Sequence, residues 1–433
     1  MSSAEVVPVR NATAVAGGRR RGAAPRIDGT RLLNRLDRLA EIGRSEDGGV
    51  TRTGFSDADQ EGRAHVARQA AEAGLTATVD AGGNLLIRRP DDHRRAQRPP
   101  ILVGSHLDTV ANGGRLDGAY GVIAALEVLQ TLHESGTETD HETIAIGFAN
   151  EEGALFPQPF WGSMVLAGRL DALPSEPEDY AGRPLRDALS RAGGDLSRLK
   201  TATWAPGSLT AYLELHVEQG PVLEQLGRSI GVVDSITGRI HMCVQLQGKA
   251  GHAGTTPMEG RQDPLVVAAR LIQTVQGLAR EEKLCRVATV GRVEVQPNSP
   301  NTIPDSVRLD IDLRDSDPAR LAAAEHTVRG ALAALARLGN VRAVIESTVR
   351  GAPVQTDPAI RDAIRASATE LGYAQETLPS GAGHDAQIVA DLAPVGMIFV
   401  PSIDGVSHVP AERTAPEDLI AGAEVLLRTV LKL

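Results

Sequence analysis

Cysteine is nearly missing from this chain: two residues in 433, Cys243 and Cys285, with no CxxC pair. A disulfide framework is excluded, zinc held by thiolates is a poor expectation, and a reducing cytoplasm fits. Also missing is any run near the roughly 18 apolar residues that cross a bilayer, so no membrane association is expected. Positive charge is not in excess. The formal net charge is −10, the opposite of the basic face that a phosphate backbone attracts, so nucleic acid is not an expected partner. No internal repeat occurs, and no low-complexity tract beyond the first residues. What remains, 42% hydrophobic and 23% charged, is the composition of a soluble globular protein. Its length predicts two domains rather than one core.

The first 25 residues are rich in Ala, Gly, Val and Arg, with Arg19, Arg20 and Arg21 adjacent. A twin-arginine signal needs an apolar stretch next, and "GAAPRIDGTR" is not one. A disordered leader over 1–28 is expected, with an organelle transit peptide as the alternative.

Beyond residue 30, strands and helices alternate. Ile101–Val103 opens "PILVGSHLDTV" as a buried parallel strand would. A glycine-rich loop, "GGRLDGAYGV", follows, then a helix from Gly118 to His133 with one apolar face. The buried run "TIAIGFAN" (143–150) leads straight into Glu151 and Glu152, and "LTAYLELHVEQG" (209–220) is a third strand-like segment. Residues 239–247 alternate in polarity, a helix starts at Asp263-Pro264, strands are expected at 286–295 and 306–314, a helix at 318–338 and a strand at 341–348. That βαββαβ order is ferredoxin-like. After Gly351 the first pattern resumes: a helix from Pro358 to Leu371, a buried strand at 393–400, and a last helix opened by a Thr414/Glu417 capping box. The fold class predicted is α/β, a mixed-sheet hydrolase domain (29–236 and 351–433) with an inserted ferredoxin-like α+β lid or dimerisation domain (237–350).

In an open α/β sheet, ligands collect at the carboxyl ends of the strands. Three polar clusters each follow an apolar strand directly. His106 closes one run, with Asp108 two residues on; a metal-bound imidazole usually donates its other N–H to a carboxylate or carbonyl. Asp117 sits in the glycine-rich loop. Adjacent carboxylates Glu151 and Glu152 repel each other and gain nothing structurally, but make sense if one binds a cation and the other acts as a base. His216 and His408 each follow β-like runs. Three imidazoles and at least two carboxylates suit zinc, with manganese, cobalt or nickel also fitting.

The strings "GSHLDTV", "GGRLDGAYGV", "NEEG", "ELHVEQGPVLE", "GKAGHAGTTPM", "PNSPNTIPD", "SGAGHDA" and "SHVPAE" resemble, in order, the metal-dependent amidohydrolases of the carbamoylase branch of the M20 clan. The resemblance runs from about residue 30 to the C-terminus. It implies two divalent metal ions: His106 and His216 on one, Glu152 and His408 on the other, Asp117 bridging them. It implies Glu151 as general base and Asp108 as the group that orients His106. Gln219, His252, Asn301, Arg314, Gly383 and His384 match substrate-binding positions, His252 also assisting catalysis. Related M20 peptidases carry a carboxylate where His216 stands, so "ELHVEQG" points to the amidohydrolase branch. The family usually has Arg where this chain has Leu155, which puts substrate preference in question. A homodimer through the inserted domain is also implied.

The reaction expected is hydrolysis of the carbamoyl or ureido C–N bond of a small carboxylate, an N-carbamoyl-L-amino acid first, with release of ammonia; allantoate and N-carbamoyl-β-alanine are the alternatives. A water activated between two cations would attack, Glu151 would carry the proton, and one metal with His252 would meet the oxyanion. Arg314 suits a bidentate grip on the substrate carboxylate, although Asp310 and Asp312 on its strand compete as ion-pair partners. Because His252, Asn301 and Arg314 lie on the insert, domain closure would complete the site. Two rival readings are a dinuclear aminopeptidase or N-acyl amino acid deacylase, and a scaffold protein on a decayed hydrolase fold. The first should lack His216, and the second should have lost a ligand or the base.

Overall fold

The computed structural model describes residues 24–90, 92, 98–170 and 177–433, so most of the expected leader lies outside the described residues. Ile27 and Asp28, assigned to that leader from the sequence, are tied to the body instead. Ile27 is buried, its N–H donates to Glu424 at 3.0 Å, and Asp28 caps helix α1 (Gly29–Ala40).

The apolar run at Ile101–Val103 lies in β3 (Arg98–His106), near the middle of a nine-stranded mixed sheet. β3 is flanked by β4 (His141–Phe148) and β5 (Ala211–Val217), and β5 by β15 (Val395–Val400), all four parallel. Every residue of β4, β5 and β15 is buried, as expected of strands covered on both faces. The sheet is finished by antiparallel β1 (Thr76–Val79) and β2 (Leu85–Arg88) on one side, and on the other by β6 (Ile230–Ile236), β13 (Val354–Gln355) and β14 (Gln375–Ser380). Four parallel neighbours end at one edge. There, His106 pairs with Phe148 and Phe399 with His216, so the polar segments that follow these strands are delivered side by side.

Helices cover both faces. α1, α2 (Asp57–Glu72), α3 (Ala119–Glu134), α9 (Pro358–Leu371) and α11 (Pro416–Val430) share one apolar core with the sheet; α4 (Trp161–Leu166), α6 (Val222–Leu226) and α10 (Asp385–Val389) contribute to the other, and α5 (Leu185–Arg191) packs beside them. α3 is buried along most of its length. Its one acidic group inside that stretch, Glu127, is fully buried and pairs with Arg31 at 2.7 Å and Arg35 at 2.9 Å, which offsets the cost of burying charge.

Residues 238–351 build a separate four-stranded antiparallel sheet, ordered β12 (Arg342–Gly351), β7 (Gly238–Gln247), β11 (Ser306–Asp315), β9 (Val287–Gln296). α7 (Pro264–Arg280) and α8 (Pro318–Leu338) pack on it around their own apolar core. In chain order this is the expected βαββαβ, and strict alternation of burial along β11 explains why its period was readable. A short ladder joins β8 (Gly251–His252) to β10 (Thr302–Ile303). Asp263, Asp317 and Asp357 cap α7, α8 and α9, each followed by proline at the first turn. The Thr414/Glu417 capping box does not form. α11 begins at Pro416 with Ala415 at its cap, because the Thr414 hydroxyl donates to the Pro401 carbonyl at 2.7 Å instead. Among the described residues no helix is long and apolar enough to cross a membrane.

Candidate metal centre

His106, Asp117 and His216 bring ligand atoms within 4.8 Å of one another, and Asp117, Glu152 and His408 do the same. Asp117 belongs to both groups. Its Oδ1 lies 3.4 Å from His106 Nε2 and 3.2 Å from His216 Nε2; its Oδ2 lies 3.2 Å from His408 Nε2, which is 3.4 Å from Glu152 Oε1. Atoms each about 2.1 Å from one tetrahedral ion stand roughly 3.4 Å apart, so the spacing fits a cation in each group.

Local structure aims these side chains. His106 Nδ1 is 2.9 Å from the Asp108 carbonyl and His216 Nδ1 is 2.8 Å from the Val217 carbonyl, which leaves both Nε2 atoms facing Asp117. The Gly118 N–H also reaches His216 Nε2, at 3.0 Å. Gly118 has φ +61, and a Cβ there would meet His106 Cε1 at 2.3 Å; only glycine lets the imidazole lie over the start of α3. His408 and Gln219 themselves sit at positive φ, 61° and 60°, a strained backbone that places their side chains.

Asp108 reaches His106 in two ways: its carbonyl is 2.9 Å from His106 Nδ1 and its carboxylate Oδ1 is 3.8 Å from the same atom. The carboxylate, fully buried, also accepts from the Glu151 N–H at 3.0 Å and the Glu152 N–H at 3.1 Å. It therefore fixes the acidic pair as well as the histidine.

The electrostatics show an excess of buried negative charge. Burial, together with Glu152 and Asp385, pushes the Glu151 carboxyl well above its usual range, although His106 opposes this. Burial and Asp117 raise Glu152 to about 7. Asp117 is held well below the usual range, since His216, His106 and His408 outweigh its burial. Burial would lower His106, yet Glu151, Asp117 and Asp108 raise it well above its ordinary value, and the hydrogen bond to Asp117 lifts His408 to about 9. Glu152 Oε1 is buried and makes no hydrogen bond; its 3.4 Å approach to His408 is an ion-pair distance only. An orphaned carboxylate oxygen among imidazoles and acids is what a divalent cation would satisfy.

Gln219, expected against substrate, donates to Asp117 Oδ2 at 2.6 Å and also lines a 590 Å³ cleft with Arg314 and His408. Arg314 does make the anticipated ion pair, to Asp312 at 2.8 Å, and also donates to the Gly381 carbonyl at 3.0 Å; Asp310 lies instead beside Arg292 and His241. Among the lining residues described, the cleft does not include His384 or Gly383. His384 is buried behind His216, their rings 4.8 Å apart, bonded to Ser380 Oγ at 2.8 Å, and burial and His216 hold its pKa well below the usual imidazole range. A Cβ on Gly383 would meet the Phe160 ring at 2.9 Å, so this glycine serves close packing. His252, in β8, and Asn301, the residue before β10, are exposed, and among the described residues no contact joins them to the cluster. His252 Nδ1 accepts from the Gly254 N–H at 3.0 Å, which makes Nε2 the free donor. Leu155 packs by a different hollow, with Phe55 and Arg183, and does not reach the cleft.

Two residues went unnoticed in the sequence although their motif was visible. Glu412, at the end of "SHVPAE", is buried and accepts from the Leu116 and Asp117 N–H groups at 2.8 and 3.1 Å. Ser407 bridges Glu412 Oε2, at 2.5 Å, and Asp117 Oδ2, at 2.9 Å. Both groups act through Asp117, and no periodicity announces such a role.

Comparison with known proteins adds relatives to this geometry. The model of peptidase family M20/M25/M40 matches residues 102–432. The N-carbamoyl-L-amino acid amidohydrolase of Geobacillus stearothermophilus is 41% identical over 94% of this chain and 99% of its own. The allantoate amidohydrolase of Bacillus subtilis is 36% identical over 93% of this chain and 97% of its own. A solved amidase of the hydantoinase/carbamoylase family from Burkholderia multivorans superposes with a TM-score of 0.84, at 38% identity, over 94% of this chain and 98% of that one.

Proposed function

Because the chain belongs to peptidase family M20/M25/M40, and within it to the carbamoylase branch, we propose that it hydrolyses the carbamoyl C–N bond of an N-carbamoyl-L-amino acid and releases ammonia. The observation that carries this reading is the pair of ligand groups sharing Asp117, with Glu151 beside His106 at 3.8 Å. His106 and His216 would hold one divalent cation, Glu152 and His408 a second, and Asp117 both. The oxygen and nitrogen donors suit zinc first, with manganese, cobalt or nickel as alternatives. Such ions, when bound, lower the pKa of a water and polarise a carbonyl oxygen.

The remaining steps belong to the chain's own groups. Glu151 takes the proton of the attacking water and passes it to the departing nitrogen. Asp108 keeps Glu151 and Glu152 in place through their N–H groups. Arg314 meets the substrate carboxylate from the cleft wall, using the donors left after Asp312 and Gly381. His252, with Nε2 as donor, and Asn301 join only when residues 237–350 move toward the sheet or when a second copy of the chain brings them there. A homodimer through 237–350 belongs to this reading; the open edge strand β9 and its exposed Val287 and Val293 support it. So does a cytoplasmic location, supported by two free cysteines and no disulfide among the described residues.

The test is ammonia release from N-carbamoyl-L-amino acids, allantoate and N-carbamoyl-β-alanine, using chelated and remetallated protein. Turnover of the first class is expected to be fastest. No turnover of any of them with zinc, manganese, cobalt or nickel would sink the proposal. Preference for allantoate, the substrate named for the Bacillus subtilis relative, would move it to the second reading.

A further inference from the structure

A second guanidinium shares the cleft beside the ligand groups. Arg286 lines the same 590 Å³ hollow as Arg314, His408 and Gln219, and Arg314 pairs in register with Val287, the residue next to Arg286. The two arginines therefore stand at the same end of neighbouring strands. Their situations differ. Arg314 is engaged by the Asp312 carboxylate and the Gly381 carbonyl. The Arg286 side chain is exposed and has one hydrogen-bond partner among the described residues, the Pro379 carbonyl at 3.4 Å, with no carboxylate in ion-pair range. Most of its five N–H donors are unspent.

Glu218 is on the same wall, outside ion-pair range; both its oxygens accept from the first turn of α6, the Val222 and Leu223 N–H groups, each at 2.8 Å, and the Arg286 charge acts on it only across the cleft. Two like charges facing one cleft repel each other, and an anion between them relieves the repulsion. A single substrate carboxylate occupies Arg314 and leaves Arg286 with no anion in direct contact and only the Glu218 charge across the cleft.

We propose that Arg286 reads a second negative group on the substrate, so that the preferred class is N-carbamoyl amino acids with an acidic side chain. The inference rests on the reading of the site as a carbamoyl hydrolase and adds which amino acid it takes. A planar fork matches a carboxylate bidentately, and hydrogen bonds to charged groups are among the stronger ones, so the preference is large enough to measure.

The experiment compares N-carbamoyl-L-glutamate with N-carbamoyl-L-glutamine, which has nearly the same shape and no side-chain charge. The wild-type protein is expected to favour the glutamate compound about tenfold or more in kcat/KM, mostly through KM. In Arg286→Gln that ratio falls to near one, and in Arg286→Glu it inverts. A wild-type ratio near one, or a preference that survives Arg286→Gln, overturns the proposal. If no ureido compound is turned over at all, the functional reading fails first, and calorimetry with glutarate then decides the subsite by itself. Glutarate binding that is lost in Arg286→Gln supports a dianion subsite; equal binding by both proteins, or none by the wild type, refutes it.

Discussion

Asp117 shows how much one side chain is asked to do. Its two oxygens meet His106, His216, His408, Gln219 and Ser407, and its N–H meets Glu412. Glu151, by contrast, is buried with its carboxylate 3.8 Å from His106 Nε2, and stands where a proton carrier is needed. Removing its basicity alone separates holding metal from using it. Glu151→Gln is expected to retain its metal content, measured by elemental analysis, while kcat for ammonia release falls by about 10²–10⁴-fold. Retained activity would show that another group carries the proton. The five clustered side chains were legible as candidates because His106, Glu152, His216 and His408 come after apolar strands and Asp117 lies in a glycine-rich loop beside them. Asp108 was legible as a partner of His106, but which of its oxygens does the holding depends on the turn after β3, which no spacing reveals.

At the scale of elements, four parallel strands deliver loops that must then be fastened to each other. Glu412 does this fastening: it ties the loop before α3 to the segment after β15, two pieces nearly 300 residues apart in the chain. A carboxylate that orients a metal ligand typically matters 10–100-fold in metal affinity. Glu412→Ala is therefore expected to weaken metal binding by about that factor in competition with a chelator, with Glu412→Gln losing less because one carbonyl oxygen still accepts. Unchanged affinity in Glu412→Ala would mean that Ser407 and Gln219 suffice to hold Asp117. The parallel core strands and the βαββαβ segment could be read from period alone. Strands β1 and β14 could not. β1 is mostly exposed and β14, "QETLPS", is polar, so neither carries the apolar signal that marks a buried strand. The Asp-Pro starts of α7, α8 and α9 are a local code, whereas the expected capping box at Thr414 lost its hydroxyl to a carbonyl that only the folded chain brings near.

For the whole molecule, the acidic cluster makes stability depend on pH and metal together. Glu152 is raised to about 7 and His408 to about 9, so the folded, metal-free protein holds protons that the unfolded chain would release. The His408 contribution is full below about 6.5 and is lost as pH rises through about 9; the Glu152 contribution is full below about 4.3 and is lost as pH rises through about 7. Both act in one direction. The Tm of chelated protein is expected to fall between pH 7 and pH 9, above the range where His384, held below its ordinary value, acts in the opposite direction. The rise in Tm on adding zinc is expected to grow over the same range, since metal competes with those protons. A metal-induced shift independent of pH would contradict that linkage.

Two cations sharing Asp117 are what the proposed N-carbamoyl amino acid hydrolysis requires. The most direct test is a titration of metal-free protein with zinc or manganese, following ammonia release from an N-carbamoyl-L-amino acid against equivalents added. No release without metal and a plateau at two equivalents per chain are expected. Activity that survives exhaustive chelation, or no ammonia at any loading, would contradict it.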